Sequence, residues 1–183
     1  QMPTLLLTHP DCLLHDMGQG HPERPDRLRA IADALAAPDF KALKREQASL
    51  ADLAVIERIH PERYVEAIRA ASPKQGLVWL DLDTAMCPKS YDAALRATGA
   101  AVYAVDQVMS GAADNAFCAV RPPGHHAERA RPMGFCLFNS VAIAAEHARA
   151  AHGAERVAVV DFDVHHGNGT QDAFWSDKDL FYG

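Results

Sequence analysis

Two short runs constrain this chain more than anything else in it: "NAFCAV" (Asn115–Val120) and "RVAVVDFD" (Arg156–Asp163). Each holds an apolar stretch too short for a stable helix, and neither shows the polar alternation of a half-exposed strand. Such runs read as strands covered on both faces. Between them lies one apolar helical stretch, "NSVAIAAEHARAAHG", stopped at Gly153. A strand–helix–strand unit of this length returns the chain parallel to itself. The expected fold class is therefore α/β, a central parallel sheet flanked by helices.

Other elements agree with that class. "TLLLTHP" reads as a first strand stopped by Pro10, and a helix follows from about Pro25 to Ala36, with Leu28, Ile31 and Leu35 along one face. "SLADLAVIERIHPERYVEAIRAAS" reads as two short helices broken at His60-Pro61, the first capped by Ser49. "GLVWLDLDT" is a short strand or extended loop, and "SYDAALRATGAAVYAVDQVMSG" a long helix ending at Gly111. "TQDAFW" suggests a helical turn, and "DLFYG" a strand at its start. No repeat or linker divides residues 1–183, so one domain is expected.

A net charge of −6 without a basic run argues against direct nucleic-acid binding. No stretch approaches the roughly 20 apolar residues of a membrane helix, and the N-terminus lacks the pattern of a signal peptide. Gln1 before Met2 reads as a cloning remnant. Cys12, Cys87, Cys118 and Cys136 form no CxxC pair, which fits reduced thiols and a cytoplasmic location.

Of the ten histidines, four fall in two HH pairs, each just after one of the apolar runs. In an extended segment Asp161, Asp163 and His165 point to one side, and Phe162, Val164 and His166 to the other. A carboxylate and an imidazole converging at a strand end make half of a zinc site. Gly167 and Gly169 let the backbone turn away. The plainer reading has the aspartates capping the next turn and the histidines satisfied as ordinary polar groups. Burying several unpaired charges costs too much for that reading to be preferred. In "RPPGHH" (Arg121–His126) the neighbouring imidazoles are suited to share proton transfer near a metal. The residues alone thus point to metal-assisted hydrolysis.

"RPPGHH", "GFCLFNSVAIAA" and "VVDFDVHHGNGTQDAF", in that order, resemble the histone deacetylase superfamily, and "HPERPDRL" near the N-terminus agrees. The resemblance is to its class II and bacterial amidohydrolase branch, which includes acetylpolyamine amidohydrolases. It implies an arginase/deacetylase three-layer fold and hydrolysis of an acetyl amide. It makes Asp163 and His165 zinc ligands, His126 the general base and His125 its electrostatic partner on Asp161. Asn168 would orient His126, as an amide that raises the histidine's pKa less than a carboxylate would. Gly134 and Phe135 would line the tunnel for the acylated amine stem, although Phe135 also suits a core. Asp161, with the carbonyls of Asp163 and His165, resembles a potassium site, and the carbonyls of Phe174, Asp177 and Leu180 a second one. Arg24 would reach an internal cavity, unless it forms a surface salt bridge, and Asp83 would sit at the pocket rim.

The implied substrates are an acetyl-lysine peptide or an acetylated polyamine or small amine; oligomeric state stays open, and so does the role of His166. The family's third zinc ligand and its carbonyl-polarising tyrosine have no counterpart among these motifs, which suggests a fragment. Two other readings stand beside the deacetylase: a metal phosphoesterase, in which RPPGHH has no role, and a deacetylase-like module that binds without turnover.

Overall fold

The computed structural model describes residues 3–183, so the remnant reading of Gln1 and Met2 lies outside the described residues. The first strand, β1 (Thr4–Thr8), is followed by a one-turn helix, α1 (Asp11–Leu14), and then by α2 (Pro25–Leu35). Strand β2 (Lys44–Gln47) pairs with β1 in parallel, Leu5 opposite Lys44, and β5 (Asn115–Cys118) pairs with the other edge, Leu5 opposite Ala116. β1 is therefore the central strand of its section, and the burial of Leu5, Leu6 and Leu7 shows why its middle is apolar on both faces. Leu5 and Leu7 pack with Ala100 on one side, while Leu6 packs with Cys12, Leu28 and Ala119 on the other.

Ala100 belongs to the long helix α5 (Ser90–Met109), which packs most extensively against α6 (Ser140–His152). Between β2 and α5 run α3 (Leu53–Ile56), α4 (Glu62–Ala71) and a small antiparallel hairpin of β3 (Val78–Trp79) with β4 (Ala85–Met86). After α6 a second parallel section forms from β6 (Val157–Val159) and β7 (Leu180–Tyr182), with α7 (Asn168–Phe174) as its crossover. Among the described residues the parallel sheet thus comes in two sections rather than one ladder. Phe138, Ile143 and Leu180 join Ile56 and Tyr64 in the largest apolar cluster. No described helix is long and apolar enough to cross a membrane.

Three expectations need correction. Ser49 does not cap the helix after it: the helix begins later, and Asp52 accepts the Ala54 N–H at 3.0 Å. The Ser49–Ala51 backbone instead lies against α5, where Ala51 N–H donates to Leu95 O at 3.0 Å and a Cβ at Gly99 would overlap Ser49 O. The strand expected across Arg156–Asp163 spans only Val157–Val159. Arg24 reaches no cavity; it is exposed and lies 3.7 Å from Asp26.

The buried arginine is Arg121. It meets the Glu23 carboxylate through two nitrogens at 2.5 and 2.6 Å, and its third donates to Cys12 O at 2.7 Å. Burial opposes the charge on Glu23, yet the nearby His15 ring and the Arg121 guanidinium outweigh it and hold the carboxyl down at about 2.

His60 is fully buried. Its Nδ1–H donates to Arg129 O at 3.0 Å, and its Nε2 accepts the Asn139 N–H at 2.9 Å. Burial drives its pKa down to about 4, and a proton on Nε2 would face the Asn139 donor. The unfolded chain takes up this proton near pH 6.5, so the stability His60 contributes is complete above that pH and is lost on acidification toward about 4. Between pH 7 and pH 5 the protein should therefore lose about 2 kcal/mol more than His60→Gln, which cannot titrate. Denaturant melts at the two pH values measure this; equal losses in both proteins would refute it.

Candidate active site

The loops that follow β5 and β6 meet. His125 Nδ1–H donates to Asp161 Oδ2 at 2.8 Å, and His126 Nδ1–H donates to Asn168 Oδ1 at 2.7 Å. With both Nδ1 atoms engaged, each neutral ring keeps a free lone pair on Nε2. The rings lie 4.0 Å apart, tilted by 52°. Adjacent residues thus present parallel chemistry on two different anchors, a carboxylate and an amide.

The anchors are themselves held. Asp161 Oδ2 also receives the Tyr182 hydroxyl at 3.3 Å, and that hydroxyl accepts the Gly167 N–H at 2.7 Å. Partial burial works against the Asp161 charge, but the His125 bond prevails and its carboxyl sits below the usual range. Asn168 donates through its Nδ2 to Glu128 Oε1 at 2.9 Å, which fixes which end of the amide faces His126. The His125 carbonyl accepts the N–H groups of Gly169 and Thr170 at 2.9 and 3.2 Å, so the first turn of α7 clamps the histidine loop. Asn139, buried at the start of α6, accepts from Ala142 N–H and donates to Ala127 O and Thr170 Oγ1.

The second cluster bends away from the strand, and residues expected on opposite faces, Asp163 and His165 with Val164 and His166, border one open cleft. Asp161 turns toward His125, while Phe162 and Val164 are 97% and 91% exposed. Asp163 Oδ1 accepts the His165 N–H at 2.8 Å and lies 3.2 Å from His165 Nδ1. The His165 N–H is the main reason the Asp163 carboxyl is held down. The His165 ring stands 6.1 Å from that of His126. His166 packs against Gln171 and the Tyr182 ring. An open cleft of about 790 Å³ runs from Asp163 and His165 to Trp175 and Gly183.

Gly134 and Phe135 adjoin this cluster. Both have left-handed backbone, φ 56° and φ 70°. A Cβ on Gly134 would overlap the His126 ring. Phe135 N–H donates to Thr84 Oγ1 at 2.9 Å, and its ring meets the edge of His21 at 4.8 Å. His21 Nε2 in turn donates to the Asp83 carbonyl at 3.0 Å, which places exposed Asp83 beside Phe135. Phe174, Asp177 and Leu180 lie together in the turn joining α7 to β7; Asp177 N–H donates to Phe174 O, and Leu180 N–H to Asp177 O.

Glu128, Asn139 and Tyr182 were not evident from the sequence. Glu128 is two residues beyond an HH pair and had only proximity to mark it. Tyr182 sits in a strand far along the chain, where no spacing rule points to Asp161.

A parallel sheet flanked by helices, with polar clusters gathered beyond the carboxyl ends of its strands, is the arginase/deacetylase type of α/β fold. The chain superposes on the crystal structure of the HDA15 HD domain with a TM-score of 0.94, at 38% identity, over 100% of this chain and 53% of that one. The histone deacetylase domain matches residues 21–183, and the chain belongs to that family. It is 42% identical over 162 residues to a histone deacetylase-like amidohydrolase of Pseudomonas aeruginosa, covering 88% of this chain and 42% of the relative. It is 38% identical to a probable deacetylase of Methanothermobacter thermautotrophicus (97% and 52%) and 39% identical to the human polyamine deacetylase HDAC10 (99% and 29%). The chain spans about half or less of the length of these relatives.

Gly134→Ala tests the contact with His126. Gly76 has a similar φ of 66° with nothing near its Cβ, so Gly76→Ala carries the backbone cost alone. Gly134→Ala should destabilise the protein by at least about 1 kcal/mol more than Gly76→Ala, and shift the His126 imidazole resonances. Equal melts and unmoved resonances would rule out the contact.

Proposed function

We propose that this chain carries the proton-transfer machinery and part of the metal site of a zinc-dependent deacetylase. The reaction is hydrolysis of an acetyl amide on an aliphatic amine stem, either acetyl-lysine in a peptide or an acetylated polyamine or small amine. One observation carries the reading: two adjacent imidazoles, each anchored through Nδ1, stand beside a carboxylate–imidazole pair at the ends of parallel strands.

The donor chemistry fits zinc. Asp163 is held ionised and His165 offers a borderline nitrogen, and together they would be two of the three protein ligands of a catalytic site. When bound, zinc supplies a Lewis acid that polarises the amide carbonyl and acidifies water. The chain's own groups then divide the proton traffic. His126 Nε2 takes the proton of the attacking water, because its Nδ1–H is committed to Asn168. The same nitrogen later delivers that proton to the leaving amine. His125, backed by the Asp161 carboxylate, stabilises positive charge beside it. Gly134 and Phe135 would line the stem's path, and Asp83 would hold substrate backbone at the rim. Asp161 and the carbonyls of Asp163 and His165 would bind potassium, and the carbonyls of Phe174, Asp177 and Leu180 a second such ion. A cation of that kind would keep Asp161 charged behind His125.

In the whole protein, His126→Ala should lower the hydrolysis of an acetyl-lysine peptide or an acetylated polyamine by about 10²–10⁴-fold while zinc content is unchanged. A chelator should abolish the wild-type rate and added zinc restore it. Undiminished turnover in His126→Ala would end this assignment of the base. Asn168→Asp puts a carboxylate behind His126 and raises its basicity, so the acid limb of kcat/KM should move to higher pH. A profile with an unmoved acid limb would count against Asn168 as the partner of the base.

A further inference from the structure

A second gathering of imidazoles lies far from the strand ends. Asp106, near the end of α5, faces His147 and His152, the latter being the last residue of α6. The Nε2 atoms of both histidines approach one carboxylate oxygen, Asp106 Oδ1, at 2.6 and 2.7 Å. The two rings stand 5.7 Å apart, nearly perpendicular. The three donor atoms all lie within 4.8 Å of one another, the one such group of three ligand-type side chains found among the described residues. His147 is buried, whereas Asp106 and His152 are half-buried, which leaves the group open to solvent on one side.

We propose that Asp106, His147 and His152 form a binding site for zinc or a neighbouring first-row divalent ion, separate from Asp163 and His165, that clasps the end of α6 to α5. Two imidazole nitrogens and one carboxylate oxygen suit zinc, nickel or copper, and three protein donors leave a fourth position for water. Calcium and magnesium are excluded because they take six or more oxygens. Around a tetrahedral ion, donors about 2 Å from the metal stand roughly 3.3 Å apart. The Nε2–Oδ1 separations must therefore open by well under 1 Å, within reach of side-chain rotation at the half-exposed Asp106 and His152. The end of a helix, where carbonyl oxygens are left unpaired, also favours a cation.

Arg58 sets the terms of binding. Its Nη1 donates to His147 Nδ1 at 3.1 Å, so the neutral ring carries its proton on Nε2, directed at Asp106. A metal at Nε2 displaces that proton. The ring then needs its hydrogen on Nδ1, where the Arg58 donor stands. Arg58 is exposed and free to swing into water, but its presence weakens the site. Its removal should therefore tighten metal binding, the opposite of what loss of a merely structural contact would do.

The site's reach is mechanical. α6 is 13 residues long, about 20 Å, and its other end carries Asn139, which bonds to Ala127 O beside the histidine pair and to Thr170 in α7. Fixing the His152 end would steady the whole rod, and metal binding should raise Tm by linkage.

The test is a zinc titration by calorimetry on the full chain, stripped with chelator, in a background carrying Asp163→Asn and His165→Ala. One equivalent should bind, with a rise in Tm, and cobalt substituted for zinc should show the visible absorption of a low-coordinate site. His152→Ala and Asp106→Asn, both at half-exposed positions that leave the fold intact by circular dichroism, should each weaken binding at least tenfold. Arg58→Ala should strengthen it. Absence of zinc binding in that background, or an affinity unchanged in His152→Ala, would overturn the site. An affinity not increased in Arg58→Ala would overturn the competition proposed for it.

Discussion

The charge on Arg121 has to be answered inside the protein, and much of the candidate site depends on how this is done. Arg121 opens the loop that ends in His125 and His126, and it is buried. Its guanidinium is matched by the two oxygens of Glu23 and by Cys12 O. A planar fork on a carboxylate is the arrangement that best offsets desolvation, whereas removing one partner of such a pair costs about 3–5 kcal/mol. The pair ties the segment between α1 and α2 to the histidine loop, so two stretches separated by nearly a hundred residues share one anchor. His15 sits behind Glu23, 3.4 Å away, with Nδ1 on Ser90 Oγ, and extends the anchor to the first residue of α5.

That anchor also shows what could be read in the sequence and what could not. The two apolar strands and the histidines that follow them were legible because hydrophobic continuity is a local property, whereas where each strand stops was not. The pairing of His126 with Asn168 was legible only through resemblance, since 42 residues separate them. "HPERP" pointed to Arg24, yet the buried interaction uses its neighbour Glu23, with Arg121 supplying the guanidinium. Nothing local distinguishes a glutamate that will be buried from one that will be solvated. β2 went unread for a related reason: "KREQ" has no apolar pattern and is a strand only because β1 offers it a parallel edge. Ser49 was a sound cap by residue type, but tertiary packing took its backbone against Gly99 of α5 and moved the helix start to Asp52.

The two adjacent histidines show how a fold can give like residues unlike anchors. Their environments differ at one atom each: a carboxylate oxygen beyond His125 Nδ1, an amide oxygen beyond His126 Nδ1. A carboxylate favours the imidazolium form, and an amide does so much less. In the proposed reaction the Asp161 carboxylate behind His125 supplies the negative charge and His126 exchanges the proton, provided neither anchor turns. Asn168 could present either end of its amide, and a donating Nδ2 would force the opposite tautomer on His126. Glu128 prevents that by accepting from Nδ2. Asp161 presents no such ambiguity but would be free to swing, and Tyr182 restrains it while also holding the Gly167 backbone. The division of labour proposed for the imidazoles therefore rests on two residues that touch neither ring's Nε2.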